Sequence, residues 1–308
     1  MGIKILTNYF LQAIVFDVIH NEVKIYKFNK ESLRSSHSSS FLLQFCGSVS
    51  DAFSSRDFFI LLRITNYSMS ALLAEFIGTA ILILLGNGVV ANVLLKDTKG
   101  HDSGLIVIAF GWAIAVFIGV FITASISGAH LNPAVTLGLA ITGDFAWSLV
   151  PGYMIAQLLG AMLGTSFVWM MYRPHYEATQ NAGDIQATFC NAPAIPNTLT
   201  NFLSELLGTF VLVYGVLHIA GASVGTEPAS LGALDALPVA LIVLGVGLSL
   251  GGTTGYAINP ARDLGPRIMH AILPITHKGD NGWGYSWIPV MGPFAGGAIA
   301  AVLMNTVG

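Results

Sequence analysis

The chain has 308 residues, 54% of them hydrophobic and only 9% charged, with a mean hydropathy of +0.71. A water-soluble domain carries about a quarter of its residues as charges, so this composition excludes one and makes the bilayer the expected solvent. A formal net charge of -3 with 13 scattered Lys and Arg leaves no basic stripe for nucleic acid, and Cys46 and Cys190 lie too far apart to suggest a disulfide framework or a zinc site.

In chain order, residues 1–68 come first and differ from the rest. They hold seven of the 13 basic residues and a Ser-rich run from Ser35 to Ser40. Their apolar runs, Tyr9 to Phe16 and Phe58 to Leu62, are far short of the roughly 20 residues a spanning helix needs, and suit a surface helix or a strand. No small-residue cleavage site follows Phe16, so a cleaved signal is not expected. The stretch reads as an N-terminal extension, either disordered or non-native upstream translation, and its basic residues would keep the N terminus cytoplasmic.

A membrane domain is expected over 69–308. Six apolar stretches are long enough to span, at 70–95, 104–126, 146–171, 200–221, 236–255 and 284–307. The stretch 172–199, with Arg173, Pro174, Glu177, Asp184, Pro193 and Pro196, is expected to be an exposed loop dividing the domain in half. With 34 glycines the helices can pack closely where no water drives association. Met162, Met170 and Met171 are expected to fill the core, and His218 and His270 to be packing residues.

The halves repeat. Ala74-Glu75-Phe76-Ile77-Gly78-Thr79 returns as Ser204-Glu205-Leu206-Leu207-Gly208-Thr209, and Leu131-Asn132-Pro133-Ala134 returns as Ile258-Asn259-Pro260-Ala261. Gly160 and Gly164 correspond loosely to Gly296 and Ala300. Three spans per half is an odd number, so the repeats, about 70–171 and 200–307, must enter the membrane from opposite sides, which puts the functional site at their interface near the midplane.

Both Asn-Pro-Ala elements have the form of a helix start, because Asn is a favoured N-cap and Pro at the first helical position loses no needed N–H. The glycine-rich segments before them cannot easily be helical. Irregular backbone at membrane depth is tolerated only where protein or a water-filled path satisfies it. Two half-helices meeting at the midplane would aim two positive dipole ends and two Asn amides at whatever passes, and repel cations.

The strings Ser127-Gly128-Ala129-His130-Leu131-Asn132-Pro133-Ala134-Val135-Thr136 and Gly255-Tyr256-Ala257-Ile258-Asn259-Pro260-Ala261-Arg262-Asp263-Leu264-Gly265-Pro266 resemble the aquaporin (major intrinsic protein) family, over residues 70–307. The resemblance implies an all-α membrane fold: a right-handed bundle of six transmembrane helices plus two re-entrant half-helices, in a homotetramer with one pore per subunit. It implies a selectivity filter at Trp112, Gly247, Tyr256 and Arg262. Gly247 replaces the His usual in strict water channels, which points to the aquaglyceroporin (glycerol uptake facilitator) subclass. Two aromatic faces opposite Arg262 would offer an apolar wedge for the carbons of glycerol and donors for its hydroxyls. Tyr256 departs from the Phe common in glycerol channels, and Asp263 directly after the Arg fits them. The carbonyls of Gly128, Ala129, His130, Leu131, Gly255, Tyr256 and Ala257 would form an acceptor ladder, with Asn132, Asn259 and Arg262 as donors. Glu75 and Glu205 would hold the re-entrant backbones open, and His130 would brace its loop.

The expectation is a passive channel for glycerol, other small neutral solutes and some water, excluding ions and protons, in the lipid bilayer of a bacterial inner membrane, with no enzymatic activity, cofactor or metal. The extension 1–68 is expected to take no part in transport. A strict water channel is the nearest competing reading; an energised transporter or a poreless junction protein stands further off.

Overall fold

The computed structural model describes residues 12–17, 22–27, 69–219, 223–224 and 227–307. The chain divides into two units, 1–68 and 69–308. In the first, Gln12–Asp17 (β1) and Glu22–Lys27 (β2) pair antiparallel, Gln12 opposite Lys27 and Asp17 opposite Glu22. The Ser-rich run and the second apolar run lie outside the described residues.

Among the described residues of the second unit, the regular structure is helical apart from one two-residue strand pair, Ser223–Val224 with Glu227–Pro228. Its helices are α1 (Ala71–Leu94), α2 (Leu105–Ser127), α3 (Pro133–Thr142), α4 (Val150–Ala178, preceded by the 3-10 turn Trp147–Leu149), α5 (Ala182–Ala187), α6 (Thr198–Leu217), α7 (Leu237–Leu250, after the 3-10 turn Gly232–Ala236), α8 (Pro260–Ile272) and α9 (Ile288–Val307). Six are long and apolar enough to cross a membrane: α1, α2, α4, α6, α7 and α9, with their 3-10 turns. The helices α3 and α8 are too short to span, as expected for re-entrant halves.

The inverted repeat governs the packing. Helix α1 packs most extensively on α4 and α6 on α9, the first and third spans of each half, while α2 meets α7 across the two halves. Each half-helix crosses over: α3 packs on α9 and α8 on α4. Small residues make these approaches possible. A Cβ on Gly160 of α4 would collide with the Phe76 carbonyl of α1, and one on Gly296 of α9 with the Leu206 carbonyl of α6. Phe76 and Leu206 are repeat equivalents, so the loose Gly160 and Gly296 correspondence is a real one.

Span limits agree with the sequence to a few residues except at two places. Helix α4 continues to Ala178 through Pro174, and the expected exposed loop is largely folded. Pro174 forfeits one bond, to the Met170 carbonyl, on an exposed face where the loss is tolerable. Beyond it, Tyr176, Ile185, Phe189 and Cys190 pack with Ala91, Leu95 and Val168 in a second apolar core, and Tyr176 Oη lies 2.8 Å from Thr188 Oγ1. The fifth span ends at Leu250 rather than residue 255, because Gly251 onward belongs to the irregular approach to α8. Met170 and Met171 are exposed on the outer surface rather than core filler, as an apolar side chain facing lipid tails costs nothing to leave there. His218 is likewise exposed, its Nδ1 2.8 Å from the Tyr214 carbonyl, whereas His270 is fully buried.

Candidate functional site

The two irregular segments carry the site. Gly128, Ala129 and Leu131 have φ of +81°, +50° and +49°; Gly255, Tyr256 and Ile258 have +79°, +41° and +44°. Left-handed backbone at a non-glycine residue costs about 1–3 kcal/mol and persists only where the surroundings enforce it. Here a buried glutamate enforces it in each half. Glu75 Oε1 accepts from His130 N (3.0 Å) and Ser127 Oγ (2.6 Å), and Oε2 from Leu131 N (2.8 Å) and Gln157 Nε2 (2.8 Å). Glu205 Oε1 accepts from Ala257 N (3.0 Å) and Thr254 Oγ1 (2.7 Å), and Oε2 from Ile258 N (2.9 Å). Both glutamates are fully buried.

With their N–H groups drawn to the glutamates, the segments leave carbonyls over. Among the described residues the carbonyls of Gly128, Ala129, His130, Gly255, Tyr256 and Ala257 accept no hydrogen bond within the protein. Leu131 differs from the expected ladder: its carbonyl accepts from Asn259 Nδ2 at 2.8 Å, and the carbonyl of its counterpart Ile258 accepts from Asn132 Nδ2 at 2.8 Å. The Asn oxygens cap the half-helices, Asn132 Oδ1 accepting from Ala134 N and Asn259 Oδ1 from Ala261 N and Arg262 N. Pro133 and Pro260 occupy the first helical positions, followed by Ala134 and Ala261. Each asparagine thus fastens its own half-helix and the opposite loop, and keeps one N–H for something else.

A cavity of about 290 Å³ runs beside these groups. The irregular segments give it a polar strip, with Asn132, Asn259 and Arg262, while Val116 and Val120 of α2 and Val239 and Val243 of α7 give it an apolar wall. Trp112, Tyr256 and Arg262 line it. Trp112 Nε1, Tyr256 Oη and Arg262 Nη1 are buried and have no partner among the described residues. No side-chain hydrogen bond or ion pair of the Arg262 guanidinium exists among the described residues; it lies over the Trp112 ring, 4.3 Å from the centroid.

Two expectations about this corner change. Trp112 stacks on the guanidinium instead of facing it across a gap. Gly247 is not a wall of the cavity: a Cβ there would lie 2.9 Å from Tyr256 Cζ, so this glycine is the recess into which the tyrosine ring fits. Its effect on the opening is exerted through Tyr256.

Asp263 supports the site from behind. Its Oδ1 accepts from Arg267 Nε (2.9 Å) and Nη2 (2.8 Å), and its Oδ2 from Asn191 N (2.7 Å), with Arg267 also donating to the carbonyls of Asn191, Asn281 and Gly282. The connector before α6 and the loop before α9 are thereby tied to α8 beside Arg262. The His130 ring packs between Phe145 and Tyr153, with Nδ1 3.1 Å from Thr136 Oγ1, and also borders the cavity. Sequence reading missed Ser127, Thr254, Arg267 and Asn191. The hydroxyls of Ser127 and Thr254 stand at the same repeat offset as the Asn-Pro-Ala elements, and Asp263 with Arg267 has the i, i+4 spacing of a helical pair, so three of the four had a signal.

An inverted repeat of three spans and a half-helix, meeting around an amphipathic conduit, defines a membrane channel for small solutes. The chain belongs to the major intrinsic protein family, whose pattern matches residues 63–304. It is 54% identical over 241 residues to the glycerol uptake facilitator protein of Streptococcus pneumoniae, covering 77% of this chain and 99% of that one. It is 52% identical over 237 residues to the probable glycerol uptake facilitator protein of Thermotoga maritima, at 77% and 99% coverage. The aquaglyceroporin of Plasmodium falciparum has a similar structure, with a TM-score of 0.67, 31% identity, and 77% and 95% of the two chains covered. The protein is a multi-pass integral membrane protein.

Proposed function

We propose that this protein is a passive channel for glycerol and other small neutral solutes, with water also passing and ions and protons excluded. The observation that carries the reading is the set of buried, unpartnered donors at one corner, Trp112 Nε1, Tyr256 Oη and Arg262 Nη1, beside a run of free carbonyls and an apolar wall. A buried polar group without a partner costs about 1–3 kcal/mol, more for a charged one, so these groups suit a passenger that brings hydroxyls. Glycerol has hydroxyls along one edge and a carbon backbone behind them, the same division as the cavity.

Mechanism follows from replacement of hydration. Glycerol shedding water would lose bonds worth several kcal/mol each. The carbonyls of Gly128, Ala129, His130, Gly255, Tyr256 and Ala257 accept from its hydroxyls, and Asn132, Asn259 and Arg262 donate to them. Leu131, whose carbonyl already holds Asn259, contributes its place in the loop more than an acceptor. An ion loses far more hydration than these groups restore. The half-helix N-termini and Arg262 set a positive barrier against cations and protons. Glu75, Glu205 and Asp263 hold the segments in place.

The named activities of the relatives support glycerol as solute, a bacterial plasma membrane as location, and a role without catalysis. Assembly as a homotetramer, one pore per subunit, belongs to the same proposal, as does a channel domain over 69–308 with an extension that does not take part in transport. Glycerol uptake into proteoliposomes tests passivity: glycerol should equilibrate without accumulating, at a rate unchanged when proton and sodium gradients are collapsed. A rate that follows either gradient would point to an energised transporter instead.

A further inference from the structure

We infer that Gly86, on α1, is a specificity-determining position of this channel, because it is the seat on which Trp112 rests. The inference rests on the proposed glycerol reading. A Cβ built on Gly86 would come within 2.5 Å of Trp112 Cη2 and closer still to Cζ3 and Cε3, three adjacent atoms of the six-membered ring. All three of the nearest atoms belong to the indole. On the indole's face lies the Arg262 guanidinium, 4.3 Å from the ring.

The indole is therefore held between a helix surface with no side chain and the cation that borders the cavity. Tyr256 is seated in the same way. A Cβ on Gly247 would lie 2.9–3.1 Å from the end of its ring, and one on Gly251 would lie 2.9 Å from Cε1 and closer to Cδ1. Both aromatic walls of the corner are recessed on glycine, and the depth of the recess sets how far each ring stands into the cavity. Gly86 makes no contact with solute. It is a positioning residue acting through Trp112, and one methyl there drives the ring toward Arg262 and the lumen.

The test compares Gly86→Ala with the wild type in liposomes, measuring water, ethylene glycol, glycerol and erythritol permeability per inserted protein. Water should change little, while glycerol falls by roughly tenfold or more and erythritol further, since passage is limited by diameter at the narrowest point. The double variant Gly86→Ala/Trp112→Phe lacks the part of the ring that collides, so its glycerol flux should match that of Trp112→Phe alone, which loses the same Trp112 Nε1 donor. An equal loss of every solute in Gly86→Ala, or no loss, would overturn the inference, as would a double variant that inserts and passes glycerol several-fold more slowly than Trp112→Phe alone. If Gly86→Ala fails to insert, the double variant decides: insertion with the glycerol flux of Trp112→Phe alone supports the seat, and failure of both Gly86 variants means that something other than Trp112 demands the glycine. Absence of glycerol flux in the wild type would instead refute the proposed function.

Discussion

Arg262 and Arg267 stand on the same short helix and have opposite surroundings. Arg267 is saturated by Asp263 and three carbonyls, while the Arg262 guanidinium has an aromatic face and an open cavity. One is built into the protein, and the other is kept for what passes. Breaking a buried pair leaves an uncompensated charge, at a cost of about 3–5 kcal/mol. Asp263→Ala should accordingly lower the thermal midpoint in detergent well below that of the wild type, and an unchanged midpoint would mean that the pair is not the tie inferred here. At Gly247 the structure keeps the expected direction and alters the cause. Gly247→His should reduce glycerol flux far more than water flux by pushing Tyr256 off its recess, and an equal reduction of both in liposomes would contradict that. The family resemblance marked Gly247, but that its space is taken by Tyr256 depends on a contact between residues nine apart across an irregular turn, which no periodicity reveals.

At the scale of elements, the re-entrant segments depend on the glutamates of α1 and α6. Glu205→Ala leaves Ala257 N, Ile258 N and the Thr254 hydroxyl without their acceptor. Each buried orphan costs about 1–3 kcal/mol, so this variant should lose most glycerol flux per inserted protein and a large part of its stability. Retention of both would show that the left-handed backbone is held by other means. The half-helices were legible because Asn, Pro and Ala are the residues a helix start requires, and they occur twice. The connector between the halves was not legible as a folded element: Tyr176, Ile185 and Phe189 are isolated among polar residues, and their core forms against α1, α4 and the Leu273 and Ile275 that follow α8. Within it Cys190 is fully buried, and burial pushes its thiol up to about 12. A maleimide should not label Cys190 in folded Cys46→Ser protein at pH 8, whereas protein unfolded in detergent and denaturant should react, since the thiolate is the reactive form. Rapid labelling of the folded protein would mean that the connector opens.

For the whole molecule, composition fixed the solvent and the repeat fixed the topology, while the crossing of each half-helix onto the opposite half is seen only in the packing. What composition and repeat do not carry is the depth of side chains in a shared cavity, and that is where the constriction differed from expectation. The measurement that tests the central claim most directly is stopped-flow light scattering on liposomes holding purified protein, with glycerol and water gradients and an entrapped pH dye, against empty liposomes. Glycerol entry should be accelerated, with weak temperature dependence and no proton leak. Fast water without glycerol would contradict the reading of Trp112, Tyr256 and Arg262 as a polyol corner and leave a strict water channel in its place.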